Sequence, residues 1–122
     1  MKTVRTSELI GAALDWAVAK AQGVEIDLPG SDVVWAKYAG AYSPSTDWSQ
    51  GGPLLDQHCK GFGLIQDGKS LTWRAFGYSR HVFDSERLQR MASGPSILVT
   101  ACRAIVAANL GDEVQIPAEL LP

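Results

Sequence analysis

Cysteine and histidine are both scarce in this chain. Its two cysteines, Cys59 and Cys102, lie far apart, and no C-x-x-C occurs. That argues against a disulfide-stapled scaffold and against the common zinc sites. His58, Cys59, His81 and Cys102 are metal-ligand types, but none sits at ligand spacing, and adjacent His58 and Cys59 would point to opposite faces of a strand. The expectation is two reduced thiols in a cytoplasmic protein, with no metal and no cofactor. Long apolar runs are missing too. The longest weakly charged stretch, Ile97 to Leu110, contains Arg103 and Asn109 and falls short of the about 20 residues that cross a bilayer. Met1 to Thr6 is polar, and the apolar stretch after it is broken by Asp15 and Lys20, so neither a secretory signal nor a membrane partner is expected. Excess positive charge is absent as well. The net charge of −2 argues against generic binding to nucleic acid or anionic membranes. No G-x-S-x-G occurs, and "GFGLIQ" at Gly61 lacks the third glycine of a dinucleotide loop, so it reads as a twisted strand.

What is present fits one ordinary domain. The chain has 122 residues, and apolar types make up 46 % of it, enough for a single core. Charge is unevenly spread. Residues 1 to 68 carry five cations and eight anions, whereas Lys69 to Arg90 carries five cations and two anions.

The first clear element is "TSELIGAALDWAVAKAQG". Thr6 or Ser7 can cap a helix over about 7–22, and Gly23 can stop it. Leu9, Ala13, Trp16 and Ala17 would line one face, with Ile10, Leu14, Val18 and Ala21 beside it; Asp15 falls on the polar side with Glu8, Gly11, Ala12, Ala19 and Gln22. Val24, Ile26 and Leu28 alternate with Glu25 and Asp27 as in a half-buried strand, which Pro29-Gly30 turns. "VVWAKYA" suggests a second strand. "CKGFGLIQDGKSLTWRAF" reads as a hairpin turning at Gln66 to Lys69, with Phe62, Leu64, Leu71, Trp73 and Ala75 as candidate inward residues. Gly77 to Ser93 gives no clear period; Ser85 could cap one or two helical turns through Met91. The last strong element is a helix over about 95–110, with Pro95 in its first turn and Gly111 at its stop. "DEVQIP" after it suggests an edge contact. The class is α+β: two main helices on a small, mostly antiparallel sheet, of which an α-β-α sandwich is one form.

Between strands and hairpin lies "AGAYSPSTDWSQGGPLLDQH", which has neither helical nor strand periodicity. Pro44 favours extended backbone at Ser43, Ser45 or Thr46 can cap a short turn, and Gly51-Gly52-Pro53 punctuate the exit. Such a segment can form a rigid loop that presents Tyr42, Asp47 and Trp48. The plainer reading has the aromatics plugging a sheet edge. Arg103 is the only charge between Gly94 and Gly111, so it must snorkel or find partners. We expect it to pin the loop by pairing with Asp47 or with loop carbonyls.

Four stretches in order carry a resemblance: "TSELIGAALDWAVAKAQG", "YSPSTDWSQGGPLL", Trp73-Arg74-Ala75, and "GPSIL…CR…VA…LGDEVQIP". Over nearly its whole length the chain resembles the NinX-like family of small phage and prophage proteins. It departs where Ser96-Ile97 stands in place of a Thr-Pro pair before the last helix, which implies a different cap. The "YSPSTDW" and "CRAIVA" stretches also resemble, more weakly, a phage domain of α-β-α architecture. The resemblance implies a phage context in the cytoplasm of a bacterial host and brings no catalytic residues.

Three functions follow. The first is a non-enzymatic protein-binding module for a host or phage protein, with a homodimer also admissible; its candidate site is Tyr42, Asp47, Trp48, Gly51, Gly52, His58 and Arg103. The second is a nucleic-acid binder using the basic-aromatic segment 69–90, where Arg74, Arg80, Arg87 and Arg90 interleave with Trp73, Phe76, Tyr78 and Phe83. The third is a small enzyme using His58, Cys59 or His81.

Overall fold

The structure is a computed structural model, and it describes residues 1–29, 33–37, 40–83 and 86–122. The turn expected at Gly30, the end of the second expected strand at Tyr38 and Ala39, and the expected cap Ser85 lie outside the described residues. In chain order the elements are β1 (Lys2–Arg5), α1 (Gly11–Gln22), β2 (Ile26–Pro29), β3 (Val34–Ala36), β4 (Gly40–Tyr42), α2 (Trp48–His58), β5 (Cys59–Asp67), β6 (Ser70–Phe83), β7 (Glu86–Gly94), α3 (Ile97–Leu110) and β8 (Glu113–Ile116). All strand pairs are antiparallel: β1 with β8, β2-β3-β4, and β5-β6-β7. The class is α+β. No helix among the described residues is long and apolar enough to cross a membrane.

α3 sits at the centre. Its sequence is apolar nearly all round, and from Leu98 to Ala108 only Arg103 escapes full burial. One side packs on β5-β6-β7 and the other on α1 and α2. This layer order differs from an α-β-α sandwich, because a helix with no broad polar face is best placed between two partners. Its cap is Ser96, whose Oγ accepts the Val99 N–H at 3.2 Å, so Pro95, expected at the first helical position, stands two residues before the helix. The hairpin forms where expected, with Asp67 paired to Ser70 across Gly68-Lys69.

α1 starts later than expected. Thr6–Glu8 forms a separate 3₁₀ turn, and the Thr6 hydroxyl donates to the Gly111 carbonyl at 2.7 Å, so it caps nothing in α1. The helix is also buried more completely than its pattern implied. Ala19 is fully buried, Asp15 is buried, and Ile10, expected at the core, is 50 % exposed. "DEVQIP" is a full strand, β8, paired with β1.

Two larger corrections concern the middle of the chain. Gly77 to Ser93 is strand, with no helical turn among its described residues: β6 runs on to Phe83 and β7 returns from Glu86. β7 shows no alternation because most of its residues are exposed on both faces. The irregular stretch is not one loop. It contains β4, a turn over Pro44–Thr46, and α2, a third helix that holds Gly51, Gly52 and Pro53 within it.

Candidate functional site

The Tyr42–His58 segment is built from local hydrogen bonds plus a long-range tie to α1. Asp47 is the N-cap of α2: its Oδ1 accepts the Ser49 hydroxyl at 2.7 Å and the Ser49 N–H at 2.9 Å. Those bonds, the hydroxyl first, hold the Asp47 carboxyl below its ordinary pKa. The cap is therefore Asp47, and not Ser45 or Thr46. Gln50 reaches back to β4. Its Oε1 accepts the Ser43 N–H at 2.7 Å, and its Nε2 donates to the Ala41 carbonyl at 2.9 Å. The buried Asp15 of α1 accepts the Ser45 N–H.

These ties decide what the segment can display. Tyr42 is half-buried against the main core, and burial, with Cys102 and Asp15 nearby, pushes its hydroxyl up to about 12. Gly51 is buried, because a Cβ there would collide with the Pro44 carbonyl and stand 2.8 Å from Leu98 Cδ2. Gly52 has only Trp48 Cε3 near its missing Cβ, at 3.9 Å. His58 ends α2 buried, and its Nδ1 has no partner among the described residues. Burial, followed by Arg87 and Arg80, lowers its pKa. Trp48 alone stands out, 56 % exposed on the first turn of α2.

Arg103 does not anchor this segment. Its Nε donates to the Leu9 carbonyl at 2.8 Å and its Nη1 to the Ser93 carbonyl at 3.0 Å. It thus ties Leu9, two residues before α1, to the end of β7. Partial burial lowers its pKa from the usual guanidinium value. The expectation of backbone carbonyls as partners was right in kind and wrong in place. The helix edge that carries Arg103 faces β7 and the 3₁₀ turn, where Arg5, Thr6, Ser7, Met91 and Ala92 complete a cleft of about 260 Å³.

Trp48 has neighbours that the sequence did not bring together. Ser45, Thr46, Trp48, Trp73, Pro95 and Ile97 line one groove of about 390 Å³. Trp73 comes from β6, on the face that carries Gly77 against α3. That face also carries Phe62, Leu64 and Leu71, which are exposed. Phe62 lies 6.3 Å from Trp73, ring centre to ring centre, tilted by 56°. Leu64 is Trp73's cross-strand partner. The exposure of Phe62, Leu64 and Leu71 corrects their expected inward placement, whereas Ala75, which meets α3, is fully buried. The groove and its rim form one exposed apolar surface.

Cys59 is half-buried, and burial pushes its thiol up to about 11. Little thiolate exists there at neutral pH, which is unfavourable for a nucleophile. Cys102 is buried and pushed higher still. His81 is exposed, and its carbonyl accepts the Ser79 hydroxyl. Among the described residues no group of three or more His, Cys, Asp or Glu could hold a metal.

Comparison with known proteins gives a family match. The family model described as Bacteriophage P22, NinX covers residues 5–109. No curated protein matches the chain. The chain belongs to this NinX family and is a phage accessory protein.

Proposed function

We propose that this phage accessory protein acts without catalysis, by binding a host or phage protein through the groove between Trp48 and Trp73. The observation that carries the reading is the exposed Trp48 ring, held on a capped helix end beside the Phe62-Trp73 sheet face. Exposed tryptophans cost solubility, and those that anchor interfaces sit in grooves rimmed by smaller apolar groups. Thr46 and Ser96 add hydroxyl groups at the rim, as a partner backbone would need. The support beneath is rigid: Asp47 caps α2, Gln50 locks it to β4, and Gly51 lets it lie close to α3. A rigid anchor loses little entropy on binding. The partner's matching element is an apolar side chain that seats between the two indoles.

Affinity capture from phage-infected cells tests the reading. Trp48→Ala and Trp73→Ala should each lose a partner that wild type and Trp35→Ala retain. Trp35 is also exposed, at 51 %, but lies on β3 outside the groove. Equal recovery by all four proteins overturns the assignment.

A further inference from the structure

The β5-β6-β7 sheet has two free edges, and the chain treats them differently. Which backbone groups point outward follows from the hairpin. Asp67 and Ser70 flank a two-residue turn and form a hydrogen-bonded pair, and such pairs recur at every second position: Ile65 with Thr72, Gly63 with Arg74. The N–H and C=O groups of Leu64 and Gln66 therefore point away from β6. Carried across β6, the same alternation turns Gln89, Met91 and Ser93 outward on β7. Two of those β7 carbonyls are covered. That of Gln89 accepts Arg90 Nη1 and that of Ser93 accepts Arg103 Nη1, each at 3.0 Å. On β5, no described residue outside the sheet bonds the backbone of Leu64 or Gln66. Leu64 and Ile65 are also exposed, at 49 % and 38 %. An uncovered edge of this kind is a template for a further strand.

The face turned away from α3 identifies that strand. A Cβ on Gly77 would stand 2.7 Å from the Ala104 carbonyl carbon, so Gly77 faces the helix. Side chains alternate along a strand, which puts Arg74 on the opposite face, together with Gly63, Ile65 and Asp67 of β5. Glycine inside a strand weakens it and marks a bend or a close approach. Nothing in the chain accounts for Gly63: its pairing is regular, its φ is not positive, and a Cβ there would meet no atom within 4 Å. Its effect is to leave the space between Arg74 and the open edge free of side chain. Arg74 Nε is shielded from solvent and has no acceptor among the described residues. Neither Arg74 nor Asp67 belongs to an ion pair among those residues.

We propose that β5 pairs antiparallel with β5 of a second copy, about a two-fold axis at Ile65. Leu64 of each copy then exchanges backbone hydrogen bonds with Gln66 of the other, and the two Ile65 side chains meet on the axis. In this register Asp67 of the second copy lies directly across Gly63 from Arg74, two strand spacings or about 9.6 Å away between backbones. An arginine and an aspartate extended toward each other span that gap, with the guanidinium Nε and an Nη as donors. The two-fold axis makes the same pair twice. The adjacent registers of the same parity bring Ile65 or Lys69 of the second copy to that place instead. The occupant is thus argued from the open edge, the missing side chain at Gly63 and a self-complementary pair of charges on one face. Trp48 and Trp73 take no part in the pairing, so the proposal stands apart from the groove reading.

Sedimentation equilibrium of the purified protein tests it, from about 1 μM to about 1 mM, the range of weak interfaces. Wild type should pass from monomer to dimer within that range, and Trp48→Ala should do the same. Asp67→Arg and Arg74→Asp each set like charges across Gly63 in both halves of the dimer and should weaken it about 10-fold or more. Mixed together, the two variants should form a heterodimer of about wild-type affinity, because opposite charges then face each other at both places. In wild type, amide exchange at Leu64 and Gln66 should slow as concentration rises, while Gln89 and Met91 stay unchanged; this reading needs no variant. A wild type that remains monomeric throughout overturns the proposal. So do single variants that dimerise as wild type does, a mixture that stays monomeric, or concentration-dependent protection on β7 in place of β5.

Discussion

Asp15 Oδ1 accepts the Ser45 N–H at 2.9 Å in a buried setting, joining the middle of α1 to the turn that launches α2. This bond does what Arg103 was expected to do: it holds the Trp48 segment to the rest of the fold. Burial raises the Asp15 pKa above its ordinary 3.8, and the Ser45 bonds oppose that shift without cancelling it. The folded chain therefore holds the Asp15 proton to higher pH than the unfolded chain does. The stability this contributes is full below pH 3.8 and is lost as pH rises through the elevated folded value. Asp15→Asn keeps the acceptor and cannot ionise, so its stability relative to wild type should improve from acid to neutral pH. Asp15→Ala leaves the Ser45 N–H buried without a partner and should cost about 1–3 kcal/mol. Urea unfolding of the three proteins across that range checks both; parallel curves for wild type and Asn would contradict the assignment.

Gly51 and Gly52 are neighbours with opposite predicted responses. Gly51→Ala drives a methyl group into the Pro44 carbonyl and against Leu98, and should cost about 1–3 kcal/mol, the usual range for overpacking. Gly52→Ala meets only Trp48 Cε3 at ordinary contact distance, in a helical backbone. It should stabilise by about 0.4–1 kcal/mol. Thermal unfolding of the pair decides whether the first glycine is needed for packing and the second is merely tolerated.

Arg103→Met removes donors from the Leu9 and Ser93 carbonyls and should cost about 1–3 kcal/mol. Amide exchange should quicken near Leu9 and at the C-terminal end of β7. Protection of Thr46 to Gly51 should stay as in wild type. Faster exchange confined to that segment would restore the original expectation that Arg103 anchors it.

Thiol labelling should be slow. With Cys59 raised to about 11 by burial and Cys102 fully buried, iodoacetamide at neutral pH should modify both more slowly than a free cysteine. Mass spectrometry after brief exposure measures this. A Cys59 that reacts faster than free cysteine would revive the enzyme reading.

How legible the fold was depended on how local its causes were. α3 could be placed from Pro95, Ser96, Gly111 and a broad apolar stripe, all within a few turns of one another. The β5-β6 hairpin could be placed from Gly68 and its flanking alternation. The start of α1 could not, because Thr6 spends its hydroxyl on Gly111, 105 positions away. α2 was hidden by Gly51, Gly52 and Pro53, which read as breakers; Gly51 is there because α2 must lie close to Pro44 and Leu98. A signal for it existed. Asp47 and Gln50 stand in the D-x-x-Q pattern that opens helices, although Gln50 turns to Ser43 and Ala41 instead of back to the cap. Trp48 could be picked out as a candidate, but the groove beside it could not. Trp73 and Ile97 reach it only through the pairing of β6 and the packing of α3, which no local pattern encodes.

The most direct test of the account places a photo-crosslinking phenylalanine analogue at position 48 and illuminates phage-infected cells. The account predicts one discrete protein adduct at position 48, lost in combination with Trp73→Ala and absent when the probe replaces Trp35. A folded protein that gives no adduct at position 48, or the same pattern at 48 and 35, would contradict it.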